Sequence, residues 1–465
     1  MAREEFDLII IGSGPGGYVA GIRAGQLGLK TAVVERDPKF GGTCTHRGCI
    51  PTKALLHTAA VLDEIHEAKD FGIEVAAPKL DIVKAQDRKQ KVVDSNAKGI
   101  EFLFKKNKVT GILRGTGRMT GPNEVEVEGP DGKKTYGARF VMIATGSVPR
   151  DVPIAPVDGE RILNSDHILE LKQVPKSLAV LGAGAVGTEF ASIYRSFGSE
   201  VTLIEMLPRV LPIEDEEVSA ELQKALRKRG IEVMTGTKLQ SVERTDNGVR
   251  LKLEGGKKDT VEAEMLLVAI GRRPVTENLG LEALGVELER GYVKVNPTMQ
   301  TAVPHIYAIG DVINTPWLAH VASAEGILAV EHMAGRKVKP LNYDRVPSCT
   351  YCEPEVASVG LTEAKAKERG YDVGIGKFPL SALGKARILG KTAGFVKIVR
   401  DKKYDEVLGI HIIGAHATDL IAEACVTLQM EGTNEELMHT MHAHPTLSEA
   451  VMEAAHAAQG EPIHI

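Results

Sequence analysis

The chain has 465 residues, of which 43% are hydrophobic and 26% are charged. This length predicts about three domains, because a single domain usually holds about 100–200 residues. The formal net charge of −5 comes from 57 lysines and arginines against 62 aspartates and glutamates, and the sequence has no basic block and no interleaved aromatic stripe. Nucleic acid is therefore not an expected partner.

The cysteine content and the first residues bear on the cellular location. Five cysteines in 465 residues are too few for a disulfide framework, so a disulfide in a reducing compartment is expected to be catalytic or redox-sensing. No basic segment precedes the apolar run at residues 6–11, which argues against a signal or transit peptide. No uninterrupted apolar run of about 18 residues indicates a membrane span. A soluble cytoplasmic protein is expected.

The first nucleotide-binding signature lies near the N-terminus. Residues 6–11 are typical of a buried parallel strand, and they end in a glycine-rich stretch at residues 12–17. A helix and a second strand are predicted next, and Glu35 at the end of that strand lies 23 residues after Gly12. Glycines let the backbone approach a pyrophosphate at a helix N-terminus, and the acid binds a ribose hydroxyl. A dinucleotide site is therefore predicted at Gly12, Gly14, Gly17 and Glu35.

Two cysteines follow this signature. Cys44 and Cys49 are five positions apart, with Gly48 between them and Lys53 just beyond. Five residues of ideal helix rise about 7.5 Å, whereas the Cα atoms of a disulfide lie within about 6.8 Å. A disulfide here needs a distorted backbone, which Gly48 and Pro51 favour. Taken alone, the pair is either two unrelated core cysteines or a redox disulfide.

The same pattern returns in the middle of the chain. An apolar strand at residues 178–181 leads to Gly182, a helix follows, and Glu205 ends the next strand, again 23 residues after the first glycine. Two signatures predict two bound nucleotides, as an enzyme that passes hydride between cofactors needs. A carboxylate at Glu205 accepts a ribose hydroxyl but repels a 2′-phosphate, which favours NAD over NADP. The glycines of this second signature are Gly182, Gly184 and Gly187.

Other apolar strands end in small or acidic residues. One over 140–147 ends at Thr145, Gly146 and Ser147, and one over 265–270 ends at Gly271. A third, over 306–309, leads to Asp311, which either meets a ribose or ribityl hydroxyl or belongs to an ordinary turn. A long exposed helix is predicted over 81–106, between the signatures, and another helix is predicted to begin at Ala319.

After Pro347 the pattern changes to strands and helices without nucleotide-binding glycines, which predicts a separate C-terminal domain. Near its end, Pro445 fits the first turn of a helix, with His444 at the mouth and Glu449 about one turn along. A carboxylate that orients an imidazole is the arrangement of a general acid or base, although a helix-start histidine without chemistry is the alternative. His442 and His444 do not share a helical face, so no metal is expected.

Three further cysteines are assigned to structure rather than chemistry. Cys349 and Cys352 have the spacing of a CxxC motif, but no second such motif and no βαβ pattern surrounds them. Cys425 lies in an apolar helical run and is expected in the core.

Together these motifs resemble the FAD-dependent pyridine nucleotide-disulfide oxidoreductase family, most closely its branch that oxidises dihydrolipoamide. The resemblance covers essentially the whole chain and is most specific at residues 41–53, 144–146, 308–311, 354–360 and 444–449. It implies an α/β fold with two Rossmann-like dinucleotide-binding domains and an α+β C-terminal dimerisation domain. The implied parts are an FAD-binding domain (1–147), an NAD-binding domain (148–274), a central domain that completes the FAD site (275–346) and an interface domain (347–465).

The resemblance also implies the catalytic roles. Cys44 and Cys49 would form the redox disulfide, with Cys44 exchanging with substrate and Cys49 facing the flavin. Lys53 would lie near the flavin and pair with Glu189. His444, oriented by Glu449, would deprotonate a dihydrolipoyl thiol. In the family this histidine comes from the other subunit, which implies a homodimer.

The implied cofactors are FAD and NAD. The implied reaction is oxidation of protein-bound dihydrolipoamide with reduction of NAD⁺, and the implied partners are lipoyl domains of a 2-oxoacid dehydrogenase complex or a glycine cleavage system. The second signature and Gly271 would bind NAD. FAD would be bound by the first signature together with Thr43, Lys53, Thr145, Gly146, Ser147, Asp311 and Ala319.

Three alternatives stay open: a disulfide reductase of another, glutathione-like substrate, a soluble transhydrogenase, and a chiefly structural component of a 2-oxoacid dehydrogenase complex. The segment at residues 45–47 resembles the transhydrogenase branch, but that branch lacks the cysteine found here at Cys49. Glu205 disfavours an NADPH-dependent glutathione reductase. No cysteine in residues 459–465 disfavours mercuric reductase and the large thioredoxin reductases. Cys352 stands where threonine or serine is expected.

Overall fold

A computed structural model describes residues 3–465 of the protein. The described residues form two compact units. The first unit contains the chain up to Ala54 together with Lys84–Arg150 and Arg272–Tyr343. The second unit contains Leu55–Val83, Asp151–Gly271 and Asp344–Ile465. No helix in residues 3–465 combines the length and the apolar character that crossing a membrane requires.

The described residues contain thirteen α-helices and 24 strands. The helices are α1 (Pro15–Gln26), α2 (Gly42–Arg47), α3 (Cys49–Glu67), α4 (Ile82–Lys106), α5 (Ser165–Ile168), α6 (Ala185–Ser196), α7 (Glu216–Lys228), α8 (Ala319–Met333), α9 (Glu363–Glu368), α10 (Gly384–Ile388), α11 (Ala417–Gln429), α12 (Asn434–His439) and α13 (Glu449–Gln459). The strands are β1 (Glu5–Ile11), β2 (Thr31–Glu35), β3 (Gly111–Arg114), β4 (Thr116–Gly121), β5 (Glu124–Gly129), β6 (Gly132–Ile143), β7 (Ser147–Pro149), β8 (Ile162–Leu163), β9 (Ser177–Leu181), β10 (Glu200–Ile204), β11 (Glu232–Met234), β12 (Lys238–Thr245), β13 (Gly248–Glu254), β14 (Thr260–Ala263), β15 (Met265–Val268), β16 (Arg272–Pro274), β17 (Leu288–Glu289), β18 (Tyr292–Val293), β19 (Ile306–Ala308), β20 (Ser348–Thr350), β21 (Glu355–Gly360), β22 (Val373–Pro379), β23 (Phe395–Asp401) and β24 (Val407–Gly414).

The first unit is built on a sheet in the order β3-β2-β1-β6-β5-β4, with β19 paired to β6. Strand β1 runs parallel to both β2 and β6, and β19 is also parallel to β6. Leu8, Ile9 and Ile10 of β1 are completely buried, as the nearly continuous apolar run predicts for a parallel strand covered on both faces. Helix α1 packs against α8, where a Cβ atom on Gly326 would lie 2.7 Å from the carbonyl oxygen of Gly16.

The second unit contains a parallel sheet and two antiparallel sheets. The parallel sheet has the order β11-β10-β9-β15-β8, and one antiparallel sheet consists of β12, β13 and β14. The other antiparallel sheet, here called the C-terminal sheet, has the order β20-β21-β24-β23-β22, and helices α11 and α13 pack on it. A Cβ atom on Gly376 in β22 would lie 2.0 Å from the carbonyl oxygen of Ala454 in α13. The absence of a side chain at Gly376 therefore lets α13 pack closely on the sheet. The expected α/β class is confirmed.

One prediction about the helices was wrong. Helix α13 begins at Glu449, so Pro445 does not lie in its first turn. The hydroxyl of Thr446 donates to the carbonyl oxygen of Ala443 at 2.7 Å, and the Thr446 N–H donates to the Glu449 carboxylate at 2.7 Å. Such side-chain hydrogen bonds compete with helical ones, and here they delay the start of the helix by four residues.

A buried lysine ties α7 and α9 to the C-terminal sheet. The side chain of Lys397 in β23 is 1% exposed, and its Nζ lies 3.0 Å from Oδ1 of Asp215, 2.8 Å from Oε2 of Glu217 and 2.8 Å from Oε2 of Glu363. Hydrogen bonds from Lys367 and then Lys397 lower the pKa of Glu363 to about 2. A buried ammonium is tolerated only when carboxylates compensate its charge, and three do so here.

The Glu363 carboxylate predicts a pH dependence of stability. Its pKa is lower in the folded protein than its ordinary value of 4.5, so its contribution is complete above pH 4.5 and is lost as the pH falls through about 2. We expect Glu363→Gln to lower the free energy of unfolding at pH 7 by about 1 kcal/mol, because solvent screens this partly exposed side chain. Urea unfolding should show that the difference from the unchanged protein narrows between pH 7 and pH 3. Glu368→Gln, at an exposed position of the same helix, is the control, and a difference independent of pH would contradict the assignment.

Candidate functional site

The glycines of the first signature form a turn between β1 and α1 that has no room for a side chain at Gly12 or Gly17. A Cβ atom on Gly12, whose φ is +106°, would lie 2.3 Å from the carbonyl oxygen of Ala144. A Cβ atom on Gly17 would lie 2.0 Å from the carbonyl oxygen of Gly12. Nothing lies within 4 Å of a Cβ position on Gly14, the N-cap of α1. The turn thus leaves open backbone at a helix N-terminus, which fits a pyrophosphate.

The carboxylate of Glu35 is bound to this turn. It accepts hydrogen bonds from the N–H of Ser13 at 3.0 Å and from the N–H of Asp37 at 2.8 Å, and Glu35 is 6% exposed. The hydrogen bond between Ser13 and Glu35 was not predicted from the sequence. The only indication in the sequence was the position of Ser13 between Gly12 and Gly14. Glu35 therefore holds the turn in place, and its predicted role is to bind a ribose hydroxyl as well.

The second signature repeats this construction. A Cβ atom on Gly187 would lie 1.9 Å from the carbonyl oxygen of Gly182, and the Cβ position on Gly184 is open. The Glu205 carboxylate accepts a hydrogen bond from the N–H of Ala183 at 2.7 Å. Both turns therefore have the same steric requirement and the same carboxylate anchor, and both fit a dinucleotide.

Gly271 follows β15 in the same unit as the second signature. It has a φ of +112°, a conformation that favours glycine, and nothing lies within 4 Å of its Cβ position. A nucleotide could therefore approach its backbone closely.

The two cysteines lie on separate helices. Cys44 is in α2, Cys49 is the first residue of α3, and Gly48 ends α2 with φ −146° and ψ −113°. The distortion that the five-residue spacing requires is therefore present at Gly48. Both side chains are thiols in this structure, with Cys44 half-buried and Cys49 exposed.

The thiol pair is polarised by its surroundings. A hydrogen bond with Cys49, followed by burial, raises the pKa of the Cys44 thiol, and the positive charge of Lys53 opposes this rise. The raised pKa means that Cys44 is protonated near neutral pH when the pair is reduced. The division of roles between the two cysteines stays a prediction.

The cysteine helix lies against the first glycine turn. A Cβ atom on Gly42 would lie 2.7 Å from Cα of Gly14, so the backbone of α2 approaches the open turn directly. Thr43 is in the first turn of this helix. The structure thus brings the cysteine pair and the first glycine turn together within one unit.

The basic residues between the cysteines bind nearby groups. Nη2 of Arg47 lies 2.6 Å from Oδ2 of Asp37, and Nε2 of His46 lies 2.8 Å from the carbonyl oxygen of Phe40. The basic residues of this segment therefore hold the loop that precedes α2.

A polar network surrounds Asp311. Ser147 Oγ donates to Asp311 at 2.5 Å, and Arg272 Nε donates to Ser147 Oγ at 2.7 Å. Burial raises the pKa of Asp311, against the hydrogen bond from Ser147 and the charge of Arg272. Thr145 donates to the carbonyl oxygen of Val275 at 2.6 Å. Arg272 was missed in the sequence, although it follows a strand that ends in glycine.

Ala319 and Gly146 lie at the ends of their elements in the first unit. Ala319 opens α8, whose N-cap Leu318 makes no side-chain cap hydrogen bond. Gly146, with a φ of +69°, separates β6 from β7, and nothing lies within 4 Å of its Cβ position. Both present backbone that a ligand could approach.

His444 and Glu449 meet although the helix begins later than predicted. Nδ1 of His444 lies 2.8 Å from Oε1 of Glu449, and the imidazole is 79% exposed. Burial raises the pKa of Glu449, but hydrogen bonds from the Thr446 N–H and from His444 outweigh it and hold that pKa below its usual range. An ionised carboxylate thus orients an accessible imidazole, which is the geometry of a general base.

His442 has hydrogen-bond partners of its own. Its side chain is 5% exposed, and Nε2 lies 2.7 Å from Oε1 of Glu423 in α11, while Nδ1 lies 2.9 Å from the carbonyl oxygen of Thr440. Glu423 was not predicted from the sequence, because nothing local links it to residue 442. Within residues 3–465 no group of three or more histidine, cysteine or acidic side chains is arranged to hold a metal ion.

Glu189 and Cys352 lie in the second unit. Glu189 in α6 is buried and accepts a hydrogen bond from the N–H of Tyr351 at 3.0 Å. Its pairing with Lys53, which belongs to the first unit, stays a prediction. Cys352 is 2% exposed, its Sγ lies 3.2 Å from the carbonyl oxygen of Pro354, and burial raises the pKa of its thiol. This thiol is therefore unsuited to redox exchange.

Cys425 is only partly buried in α11. It packs against the core cluster of the C-terminal sheet, and burial raises the pKa of its thiol. Its expected core position is therefore met only in part.

The sequence matches known protein families and named relatives over nearly its whole length. The sequence pattern of the family described as pyridine nucleotide-disulphide oxidoreductase matches residues 6–326, and the pattern of its dimerisation domain matches residues 346–455. The chain is 48% identical to the dihydrolipoyl dehydrogenase of Bacillus subtilis (strain 168) and 47% identical to that of Thermus scotoductus (strain ATCC 700910 / SA-01). Each alignment covers 99% of this chain and 99% of the relative.

Solved structures of flavoprotein disulfide reductases and of LpdA have the same fold as this chain. LpdA from Mycobacterium tuberculosis superposes with a TM-score of 0.90 at 29% identity, covering 97% of this chain and 99% of that one. The HOCl-induced flavoprotein disulfide reductase RclA from Escherichia coli superposes with a TM-score of 0.86 at 25% identity, again covering 97% and 99%. The chain therefore belongs to the pyridine nucleotide-disulphide oxidoreductase family.

Proposed function

We propose that this chain is an FAD-containing dihydrolipoyl dehydrogenase that oxidises protein-bound dihydrolipoamide and reduces NAD⁺. The observation that carries the proposal is the Cys44–Cys49 pair, whose side chains share a hydrogen bond across the helix break at Gly48. Full-length relatives at 45–48% identity bear the name dihydrolipoyl dehydrogenase. Their names supply the substrate class, and the cysteine pair supplies the means to exchange with it.

The proposed chemistry begins with thiol–disulfide exchange at the oxidised cysteine pair. A dihydrolipoyl thiolate attacks Sγ of Cys44, the Cys44–Cys49 bond breaks, and Cys49 leaves as a thiolate. The second lipoyl thiolate then attacks the first lipoyl sulfur and displaces Cys44. Lipoamide is released as a disulfide, and its two electrons remain on the cysteine pair.

His444 supplies the base for this exchange. Its Nδ1 is held by the Glu449 carboxylate at 2.8 Å, which leaves Nε2 to take a proton from a dihydrolipoyl thiol. In the proposed homodimer this exposed imidazole serves the disulfide of the other copy. The match of residues 346–455 to a dimerisation domain supports that arrangement.

The cofactors are FAD and NAD. The residues that would hold FAD are the first glycine turn, Glu35, Thr43, Lys53, Thr145, Gly146, Ser147, Asp311 and Ala319. Those that would hold NAD are the second turn, Glu205 and Gly271. When bound, FAD would carry the two electrons from the cysteine pair to NAD⁺. Glu205 supports NAD over NADP, because its carboxylate would repel a 2′-phosphate.

We also propose the partners and the location of the enzyme. Lipoyl domains of a 2-oxoacid dehydrogenase complex or a glycine cleavage system would present the substrate. A cytoplasmic location is supported by the five cysteines, which are too few for a disulfide framework. The division into FAD-binding, NAD-binding, central and interface domains at residues 147, 274 and 346 belongs to the same proposal.

A substrate panel tests the reaction itself. Dihydrolipoamide should reduce the FAD holoenzyme and support NAD⁺ reduction, whereas reduced glutathione and reduced thioredoxin should not. NADH should reduce the holoenzyme in the reverse direction. A flavoprotein that NADH reduces but that is inert towards lipoamide would instead favour reduction of another disulfide or transhydrogenation.

Replacement of one cysteine should separate cofactor binding from turnover. We expect Cys49→Ser to retain its FAD absorbance, because the glycine turn is intact, and to lose dihydrolipoamide turnover by at least about 10³-fold, because no disulfide forms. Cys425→Ser, at a half-buried helix position far along the chain, is the control and should keep its activity. Turnover of Cys49→Ser near that of the control would exclude the disulfide mechanism.

Replacement of the base should change the rate and its pH profile. We expect His444→Gln to lower the dihydrolipoamide rate by about 10²–10⁴-fold. Its residual rate should climb steadily with pH, because the substrate thiol must then ionise without assistance. His439→Gln, at an exposed position five residues earlier, is the control. A His444→Gln enzyme whose pH profile matches that of the control would contradict the assignment of the base.

A further inference from the structure

The segment 205–215 joins the proposed ribose-binding acid to the start of α7. Its first residue, Glu205, accepts from the N–H of Ala183 at 2.7 Å and from the N–H of Leu207 at 2.8 Å. In its middle, the N–H of Leu211 donates to the carbonyl oxygen of Ala183 at 2.8 Å. Both backbone groups of Ala183, inside the second glycine turn, are thus bonded to this segment. The position of the segment sets the position of the turn.

The far end of the segment is fixed by a buried carboxylate. Asp215 is 3% exposed and caps α7 by accepting from the N–H of Glu217 at 3.1 Å. Its two oxygens lie 3.0 and 3.2 Å from Nζ of Lys397. The neighbouring Glu214, 5% exposed, accepts from the hydroxyl of Ser348 at 3.0 Å. Ser348 lies in β20 and Lys397 lies in β23. The C-terminal sheet therefore fixes the end of the segment 205–215.

Two lysines on this sheet differ sharply in their contacts. Lys377 in β22 and Lys397 in β23 are direct cross-strand partners. Lys377 is 45% exposed and pairs with Glu217, whereas Lys397 is 1% exposed and reaches Asp215 as well. Burial of an ammonium is costly unless its partners are fixed, so Lys397 holds Asp215 in one place. Lys377 contacts Glu217 of α7, outside the segment 205–215, and therefore provides a matched comparison.

We propose that Lys397 is a positioning residue for the NAD site, acting through Asp215 and the segment 205–215 on Glu205 and the second glycine turn. This inference rests on the proposed function only in that the second turn binds NAD. Without the tether, the segment samples more conformations, and the nucleotide must restrict them when it binds. The loss therefore falls on affinity for the nucleotide and not on the thiol chemistry.

The test uses the FAD holoenzyme and ADP-ribose, a probe with the adenosine half of NAD and no redox chemistry. We expect Lys397→Gln to raise the dissociation constant of ADP-ribose by about tenfold in calorimetry. The KM for NADH with ferricyanide as electron acceptor should rise equally, with kcat changed less than about twofold. Amide hydrogen exchange should accelerate within residues 205–215. Lys397→Arg should restore most of the affinity, and Lys377→Gln should match the unchanged protein.

A second variant covers the case in which Lys397→Gln does not fold. The double variant Lys397→Met with Asp215→Asn removes both charges together and leaves no isolated buried ion, and it should show the same weakened ADP-ribose binding. An ADP-ribose affinity within twofold of the unchanged protein in a folded variant would overturn the inference. An equal loss in Lys377→Gln would also overturn it, because the effect would then come from charge alone.

These measurements do not involve dihydrolipoamide. An enzyme that is inert towards dihydrolipoamide but shows the expected ADP-ribose and NADH effects would contradict the proposed substrate and support the role of Lys397. An unchanged protein that binds no ADP-ribose would contradict both the proposed NAD site and the role of Lys397.

Discussion

A carbonyl oxygen occupies the place where a side chain on Gly17 would stand, and the same is true of Gly187. This contact lets a helix begin directly against the end of a buried strand, with its first N–H groups uncovered. In the first unit the cysteine helix α2 is laid against that turn at Gly42. The first glycine turn therefore helps to set where the thiols lie, because α2 contacts it at Gly42.

The parts of the fold that the sequence predicts are those with local causes. Continuous apolar runs predict β1 and β9, and the glycines after them predict the turns, because burial and steric exclusion act over a few residues. The need for a distorted backbone between Cys44 and Cys49 also follows from a local distance, and the break at Gly48 provides it. The pairing of His444 with Glu449 was predictable from spacing, although the helix start beside them was not.

The remaining features depend on residues that are distant in the chain. Arg272 reaches Ser147 across 125 positions, and Lys397 reaches Asp215 across 182. No periodicity or motif connects such pairs, because only the folded sheets bring them together. The late start of α13 has a different origin, since Thr446 donates its hydroxyl to the Ala443 carbonyl and its N–H to the Glu449 side chain instead of joining helical backbone hydrogen bonds. A proline near a helix predicts a boundary only when neighbouring polar side chains do not compete.

Glu35, the last residue of β2, and Glu205, the residue after β10, are positioned before any nucleotide binds. Each carboxylate is already held by backbone N–H groups, Glu35 by Ser13 and Glu205 by Ala183. A carboxylate oxygen has a second lone pair, so each acid can still accept a hydroxyl. Folding has therefore already restricted these side-chain rotamers, and an arriving nucleotide does not have to supply that entropy. Both carboxylates are therefore positioned by the folded chain before either nucleotide binds.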